Sequence, residues 1–240
     1  MTTRDVTATT PLFDAAACSH SHHFVRHSAV FLYYTNIRPP KMVIHTVGDS
    51  HSYFGWDFDG VTPHHVGPRL CYSIGRDGIN LSSYSIKEHD TVIFSFGEID
   101  CRCHVHKYIT AETDFRAVID PIVERYIEKI KAATSSLTNV QVGIYNVVPP
   151  VQKHTSQENP HFPFLGTDQD RLAYTRYFNS RLAECCAANG FLFVDIFDKY
   201  SDADGFLNHA FSDGIVHIKN NCFLREFLMT HGILPSLGES

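Results

Sequence analysis

The pairing of an early serine with a late carboxylate and imidazole is the part of this chain that could carry out chemistry. Ser50 stands in the tetrapeptide 48–51 (Gly-Asp-Ser-His), directly after the apolar run 42–47, whereas Asp213 and His217 lie near the other end of the chain. A serine hydroxyl is a weak nucleophile until a base removes its proton, and an imidazole held by a carboxylate is such a base. These residue types predict attack on an acyl carbon, with Ser50 as nucleophile, His217 as base and Asp213 as the group that orients the base.

Two alternatives to a complete triad remain open at this point. Asp49 or Ser50 could simply cap an ordinary turn between a strand and a helix. Three residues separate Asp213 from His217. Positions i and i+4 share a face in a helical turn, so that spacing permits a triad there. If the segment is extended instead, only a pair of Ser50 and His217 would remain.

The elements that must position these groups follow from hydrophobic periodicity. Strands are predicted near 42–47, 91–96, 140–146 and 191–195, with a short one near 64–66, and helices near 70–75, 112–134, 168–189 and 220–231. Strands that alternate with helices favour an α/β fold whose parallel sheet is covered on both faces. In such folds ligands bind at the carboxyl ends of the strands, which is where Ser50 would stand.

Two segments carry more specific predictions. Apolar residues recur at helical spacing through 112–134, but Pro121 predicts a kink, or a restart of the helix at Asp120. Residues 147–167 contain four prolines and form a long loop. In a compact domain such a loop is more often a substrate-facing element than a simple connection.

Composition sets the wider limits. With 240 residues, 43% of them hydrophobic, the chain can bury one substantial core, which is predicted for residues 41–240. Residues 1–40 are expected to form a loosely ordered extension, with a possible short strand at 30–34. A net charge of −6 gives no basic face for nucleic acid or anionic lipid. Seven scattered cysteines fit a reducing compartment, and we see no signal peptide or membrane span, so we expect a cytoplasmic protein. The sequence does not indicate an oligomeric state.

The chain resembles the SGNH (GDSL-type) hydrolase superfamily over about residues 42–220. Residues 48–50 (Gly-Asp-Ser) match the first sequence block of that family, Gly67 the second, 97–100 (Gly-Glu-Ile-Asp) the third and 212–217 the last. The resemblance implies a three-layer α/β/α sandwich with a flavodoxin-like parallel sheet, and cleavage or transfer of acyl groups without a cofactor. It also implies that the backbone N–H groups of Ser50 and Gly67 bind the oxyanion.

One departure from the family pattern concerns the oxyanion. Ile99 stands where the family usually has an asparagine whose side chain donates a hydrogen bond. Arg102 is a candidate replacement, because its guanidinium could reach an oxyanion or a substrate carboxylate. Alternatively, Glu98, Asp100 and Arg102 form a local ion-pair network that supports the loop. The full set of candidate oxyanion and substrate-binding residues is Asp49, Gly67, Gly97, Glu98, Asp100, Arg102 and Asn146, the last of which could instead be a turn former.

The segment 97–104 (Gly-Glu-Ile-Asp-Cys-Arg-Cys-His) is similar to SGNH-like proteins encoded beside glycan-building genes in bacteria and large viruses. This resemblance implies an acylated carbohydrate, or another small ester, as substrate. A glycan acyltransferase with the same residues, or a glycan-binding domain that has lost its activity, are the alternatives. Cys101, Cys103, His104 and His106 do not have the spacing of a common zinc site, so no metal is predicted.

Overall fold

The computed structural model describes residues 42–235. The predicted N-terminal extension 1–40 and the possible strand at 30–34 lie outside the described residues. The boundary at residue 40 therefore stays a prediction. Within the described residues, no helix has both the length and the apolar character needed to cross a bilayer.

The centre of the fold is one sheet of five parallel strands in the order β2-β1-β3-β4-β5. The strand bounds are β1 Ile44–Gly48, β2 Val61–His65, β3 Thr91–Ser95, β4 Gln141–Tyr145 and β5 Leu192–Val194. All five predicted strands are therefore present, and the order is that of flavodoxin-like sheets. At the carboxyl edge, Gly48 of β1 pairs with His65 of β2 and with Ser95 of β3.

Helices pack on both faces of the sheet, because both faces are apolar. Their bounds are α1 Cys71–Asp77, α2 Phe115–Thr134, α3 Asp168–Asn189, α4 Phe197–Tyr200 and α5 Cys222–Thr230. Because strand side chains alternate, Val92 and Phe94 pack with α1, α2 and α3, whereas Ile93 packs in the second core with α5 and Trp56. The predicted three-layer α/β/α sandwich is therefore confirmed.

Helix α2 runs without a break from Phe115 to Thr134, although it contains Pro121. The predicted restart at Asp120 is therefore wrong. The proline removes one backbone donor, but Ile119, Ile122 and Val123 around it are buried against the sheet. Burial of this apolar stripe holds the helix together across the missing hydrogen bond.

Gly48 is where β1 meets β3 most closely. A Cβ at this position would lie 2.0 Å from the carbonyl oxygen of Ser95. The close approach lets the next residue, Asp49, donate its backbone N–H to the same oxygen at 3.2 Å. Glycine therefore fixes where the chain leaves the sheet just before Ser50.

We expect Gly48→Ala to lower the free energy of unfolding by about 3 kcal/mol or more, because the new methyl group meets backbone that cannot rotate away. Gly143→Ala in β4 is the matched control, since its Cβ would meet the Ile93 side chain at 3.1 Å. That side chain can adjust, so a loss of roughly 1 kcal/mol is expected. Urea unfolding of the two variants would contradict this account if the losses were equal.

Candidate active site

Ser50 is presented by the short turn that follows β1. Residues Ser50–Ser52 form a 3-10 turn capped by Asp49, whose Oδ1 accepts the backbone N–H of His51 at 2.9 Å. The capping interpretation thus holds for Asp49. It does not exclude chemistry at Ser50, since the turn directs the serine to the carboxyl edge of the sheet.

The three residues predicted as a triad form a continuous hydrogen-bonded chain. Ser50 Oγ lies 2.9 Å from His217 Nε2, and His217 Nδ1 lies 2.7 Å from Asp213 Oδ2. Both separations are within the range of a nucleophile, its base and an orienting carboxylate. The contact joins residues that are 167 positions apart in the chain.

The segment that holds Asp213 and His217 is a tight loop and not a helical turn. Asp213 donates its backbone N–H to the His217 carbonyl at 3.0 Å, and an antiparallel bridge joins Ser212 to Ile218. Oδ1 of Asp213 accepts the backbone N–H groups of Ile215 at 2.8 Å and of His217 at 3.2 Å. The segment is thus neither of the two conformations considered from the spacing, and the loop leaves Oδ2 of Asp213 to hold the imidazole.

The electrostatic setting keeps His217 in the neutral form that a base requires. Burial and the nearby charge of His51 lower the pKa of His217, while its hydrogen bond to Asp213 acts in the opposite direction. Burial would raise the pKa of Asp213, but the hydrogen bond from His217 and the backbone N–H groups keep it below its ordinary value. At neutral pH the pair is therefore a neutral imidazole beside a carboxylate.

Residues just after Ser50 contact the loop 212–218, here called the base loop because it carries His217, at three further points. His51 Nε2 lies 3.2 Å from the carbonyl oxygen of Val216, and the ring of Phe54 stacks on His217 with centroids 4.2 Å apart. A Cβ on Gly55 would lie 3.0 Å from the carbonyl oxygen of Ile218. The sequence did not predict these contacts. The only local signal for them was the position of His51 directly after Ser50.

The backbone N–H groups predicted to bind the oxyanion belong to Ser50 and Gly67. Ser50 and Gly67 each lie two residues beyond a paired position, Gly48 and His65, on neighbouring strands. Within residues 42–235 neither N–H has an acceptor, so both are able to bind a ligand oxygen. Gly97, by contrast, serves packing, since a Cβ there would lie 2.6 Å from the side chain of Val147.

Arg102 is engaged by Glu98 in a two-pronged ion pair. Its Nε and Nη2 donate to the two carboxylate oxygens of Glu98 at 2.6 and 2.9 Å, and Nη1 donates to the carbonyl of Phe162. Burial would raise the pKa of Glu98, but Arg102 holds it below its ordinary value. The ion-pair alternative describes these two side chains, and the oxyanion role of Arg102 has no geometric support.

Asp100 takes no part in that ion pair. Its two oxygens accept the backbone N–H groups of Cys71 at 2.7 Å and Tyr72 at 3.1 Å, at the start of α1. Burial raises the pKa of Asp100 to about 7, against the effect of these donors. The network predicted for Glu98, Asp100 and Arg102 is therefore divided into an ion pair and a separate helix cap.

Asn146 is fixed between two loops and does not line an open cleft. Its Nδ2 donates to the Val147 carbonyl at 2.8 Å, and its Oδ1 accepts the backbone N–H of Ile196 at 3.0 Å. The side chain is 1% exposed. Asn146 therefore links the end of β4 to the backbone after β5, and it is not part of a turn.

A cavity of about 460 Å³ lies between α1 and α2, lined in part by Tyr72, His104, Arg76 and Arg125. It contains none of the three triad residues. The rings of His104 and Tyr72 are in contact there at a tilt of 38°, and His106 Nδ1 lies 2.9 Å from the Tyr174 hydroxyl. Within residues 42–235, no three His, Cys, Asp or Glu side chains are grouped as metal ligands.

Neither a family model nor a curated protein sequence matches the chain. Solved structures do: a GDSL-like lipase from Bacteroides thetaiotaomicron has a TM-score of 0.54 at 15% identity, covering 82% of this chain and 90% of that one. A protein described as a platelet activating factor from Streptococcus pneumonia has a TM-score of 0.57 at 12% identity, covering 83% and 87%. A protein described as an acylhydrolase, from Bacteroides fragilis, has a TM-score of 0.51 at 17% identity, and the match covers 79% of this chain and 85% of that one. At these identities the chain shares the fold of GDSL-like lipases and acylhydrolases.

We expect Arg102→Met to lower the free energy of unfolding by about 3–5 kcal/mol, because it leaves the Glu98 carboxylate buried without a partner. The double variant Glu98→Gln/Arg102→Met should recover part of that loss, since no lone charge remains. Urea unfolding measures both. Arg76→Met is the control, because its ion pair with Asp77 is exposed to solvent and should contribute little to stability. Equal losses for the two single variants would contradict the analysis.

Proposed function

We propose that this protein is a serine ester hydrolase that works through an acyl-enzyme. The observation that carries the proposal is the hydrogen-bonded chain from Ser50 through His217 to Asp213. Ser50 Oγ would attack the ester carbonyl carbon while His217 Nε2 takes the hydroxyl proton. The tetrahedral intermediate would place its oxyanion on the N–H groups of Ser50 and Gly67.

Collapse of that intermediate would break the ester bond, and His217 would return the proton to the departing alcohol. Water would then attack the acylated Ser50, with His217 accepting one of its protons. The carboxylic acid would leave, and Ser50 would recover its hydrogen. Asp213 would hold the imidazole in the tautomer that both half-reactions need and would stabilise the imidazolium in between.

For the substrate, we propose an acetyl group or a similar short acyl group on a carbohydrate. Exposed apolar side chains are concentrated beside the triad: Tyr53 is 59% exposed, Phe54 42% and Ile215 51%. Exposed apolar groups at the rim of a site commonly mark a binding surface, and flat aromatic rings suit the C–H face of a sugar. The resemblance of 97–104 to glycan-associated proteins also supports this choice.

The acceptor in the second half-reaction separates a hydrolase from an acyltransferase. Turnover of an acetylated oligosaccharide in water should release acetate, and mass spectrometry should show an unmodified sugar as product. Transfer of the acyl group to an added oligosaccharide would instead identify an acyltransferase. A protein that binds the sugar without labelling by a fluorophosphonate would have lost the chemistry.

Ser50→Ala should lower kcat for p-nitrophenyl acetate by about 10³-fold or more and should abolish labelling by a fluorophosphonate probe, because no hydroxyl remains to be acylated. Ser83→Ala is the control, since Ser83 is exposed and outside the site. It should retain both the rate and the label. Equal turnover by wild type and Ser50→Ala would rule out the mechanism.

Activity should fall on the acid side as His217 gains a proton, because only the neutral imidazole can act as a base. The pKa of His217 lies below its ordinary value of 6.5, so the acidic limb of kcat/KM should have its midpoint below 6.5. Asp213→Asn should move that midpoint lower still, because it removes a carboxylate that raises the pKa. A midpoint above 6.5 in the wild type would contradict the assignment.

A further inference from the structure

We propose that His51 is a positioning residue for this reaction: a buried imidazolium that bridges the residue before the nucleophile to the residue before the base. The proposal rests on the proposed function. It goes further by assigning a role to a side chain outside the triad. Its two contacts are with the carboxylate of Asp49 and the carbonyl of Val216.

The hydrogen-bonding partners of His51 determine its protonation. Nδ1 lies 3.0 Å from Asp49 Oδ1 and Nε2 lies 3.2 Å from the carbonyl oxygen of Val216. Neither a carboxylate nor a carbonyl can donate a hydrogen bond, so both ring nitrogens must carry a proton to satisfy both contacts. A neutral ring would set one nitrogen lone pair against an oxygen lone pair in a site that is 5% exposed.

The bridge joins two loops that no regular secondary structure connects. Asp49 precedes Ser50 and Val216 precedes His217, so a single ring ties together the backbones on either side of the reacting pair. Trp56 supports the arrangement, because its Nε1 donates to the backbone carbonyl of His51 at 3.0 Å. A shift of the base loop away from Ser50 would have to break the bond from His51 to Val216.

The charge of the ring acts on the base as well. The rings of His51 and His217 have centroids 4.9 Å apart. Burial alone would lower the pKa of His51, but the carboxylates of Asp49 and Glu98 hold it above its ordinary value. A fixed cation at this distance opposes protonation of His217 and so favours its basic form. The charged groups that act on the two rings are Asp49, Glu98 and Asp213, and beyond them Asp100 acts on Asp49 and Arg102 on Glu98.

Nuclear magnetic resonance of the full chain with ¹⁵N-labelled histidine tests the protonation directly and needs no turnover. At pH 7 we expect His51 to show two protonated ring nitrogens and His217 to show one. The assignment can be made by comparison with His51→Gln. A neutral His51 at pH 7 in the wild type would overturn the proposal.

Two substitutions distinguish the effect of the hydrogen bond from His51 to Val216 from the effect of the positive charge on the His51 ring. In His51→Gln the side-chain amide can replace Nε2 and still donate to Val216, whereas in His51→Asn it can replace Nδ1 and reach only Asp49. Both variants are neutral, so the pKa of His217 and the acidic limb of kcat/KM should rise by roughly one unit or more in each. Above that limb, kcat should stay near the wild-type value in His51→Gln and fall about tenfold or more in His51→Asn.

The control is His106→Gln, which alters a half-buried histidine bonded to Tyr174 and should leave the acidic limb in place. An unchanged pKa of His217 in both His51 variants, or wild-type kcat in His51→Asn, would overturn the proposal. Absence of esterase activity in the wild type would count against the proposed function alone. The titration of His217 would still decide whether His51 controls the imidazole.

Discussion

The site depends on one constraint: the turn after β1 must pack against the loop near the end of the chain. Ser50 bonds His217, Phe54 covers its ring, and Gly55 leaves room for the carbonyl of Ile218. These contacts join segments more than 160 residues apart. The sheet supplies a rigid base for the turn, because Gly48 lets β1 lie close against β3. The loop has no strand or helix of its own to hold it, so side-chain contacts must fix its position.

Acidic and basic side chains at this edge of the sheet face one another in pairs. Glu98 faces Arg102, Asp49 faces His51, and Asp213 faces His217. Burial of a single ion is strongly unfavourable, whereas a hydrogen-bonded pair is tolerated. The proposed function gives these pairs different roles. In the proposed mechanism the first two pairs stay charged, whereas His217 beside Asp213 is neutral until it takes a proton from Ser50.

Sequence patterns predicted the regular elements well, because strand and helix periodicities are local. All five strands and four helices were anticipated, and the 168–189 helix matches its observed bounds. Pro121 was misleading, since burial of the surrounding helix face outweighs one lost hydrogen bond. The Asp213–His217 loop and the environments of Arg102 and Asn146 depend on partners distant in the chain. Residue type alone could therefore not separate a ligand-binding side chain from one that joins loops.

The effect of Ile99, which stands where the SGNH resemblance leads us to expect an asparagine, is best judged by the size of the rate effect. One oxyanion donor contributes on the order of 10²–10³ in rate, whereas enzymes accelerate reactions by roughly 10⁶-fold or more. Ile99 is buried, and Arg102, the predicted substitute, is held by Glu98. Among residues 42–235, no side chain is therefore evident as a third oxyanion donor beside the two backbone N–H groups. The two backbone donors and the triad would still account for most of the acceleration. Ile99 therefore argues for a slower enzyme, and the intact hydrogen-bonded chain from Ser50 to Asp213 argues against a lost one.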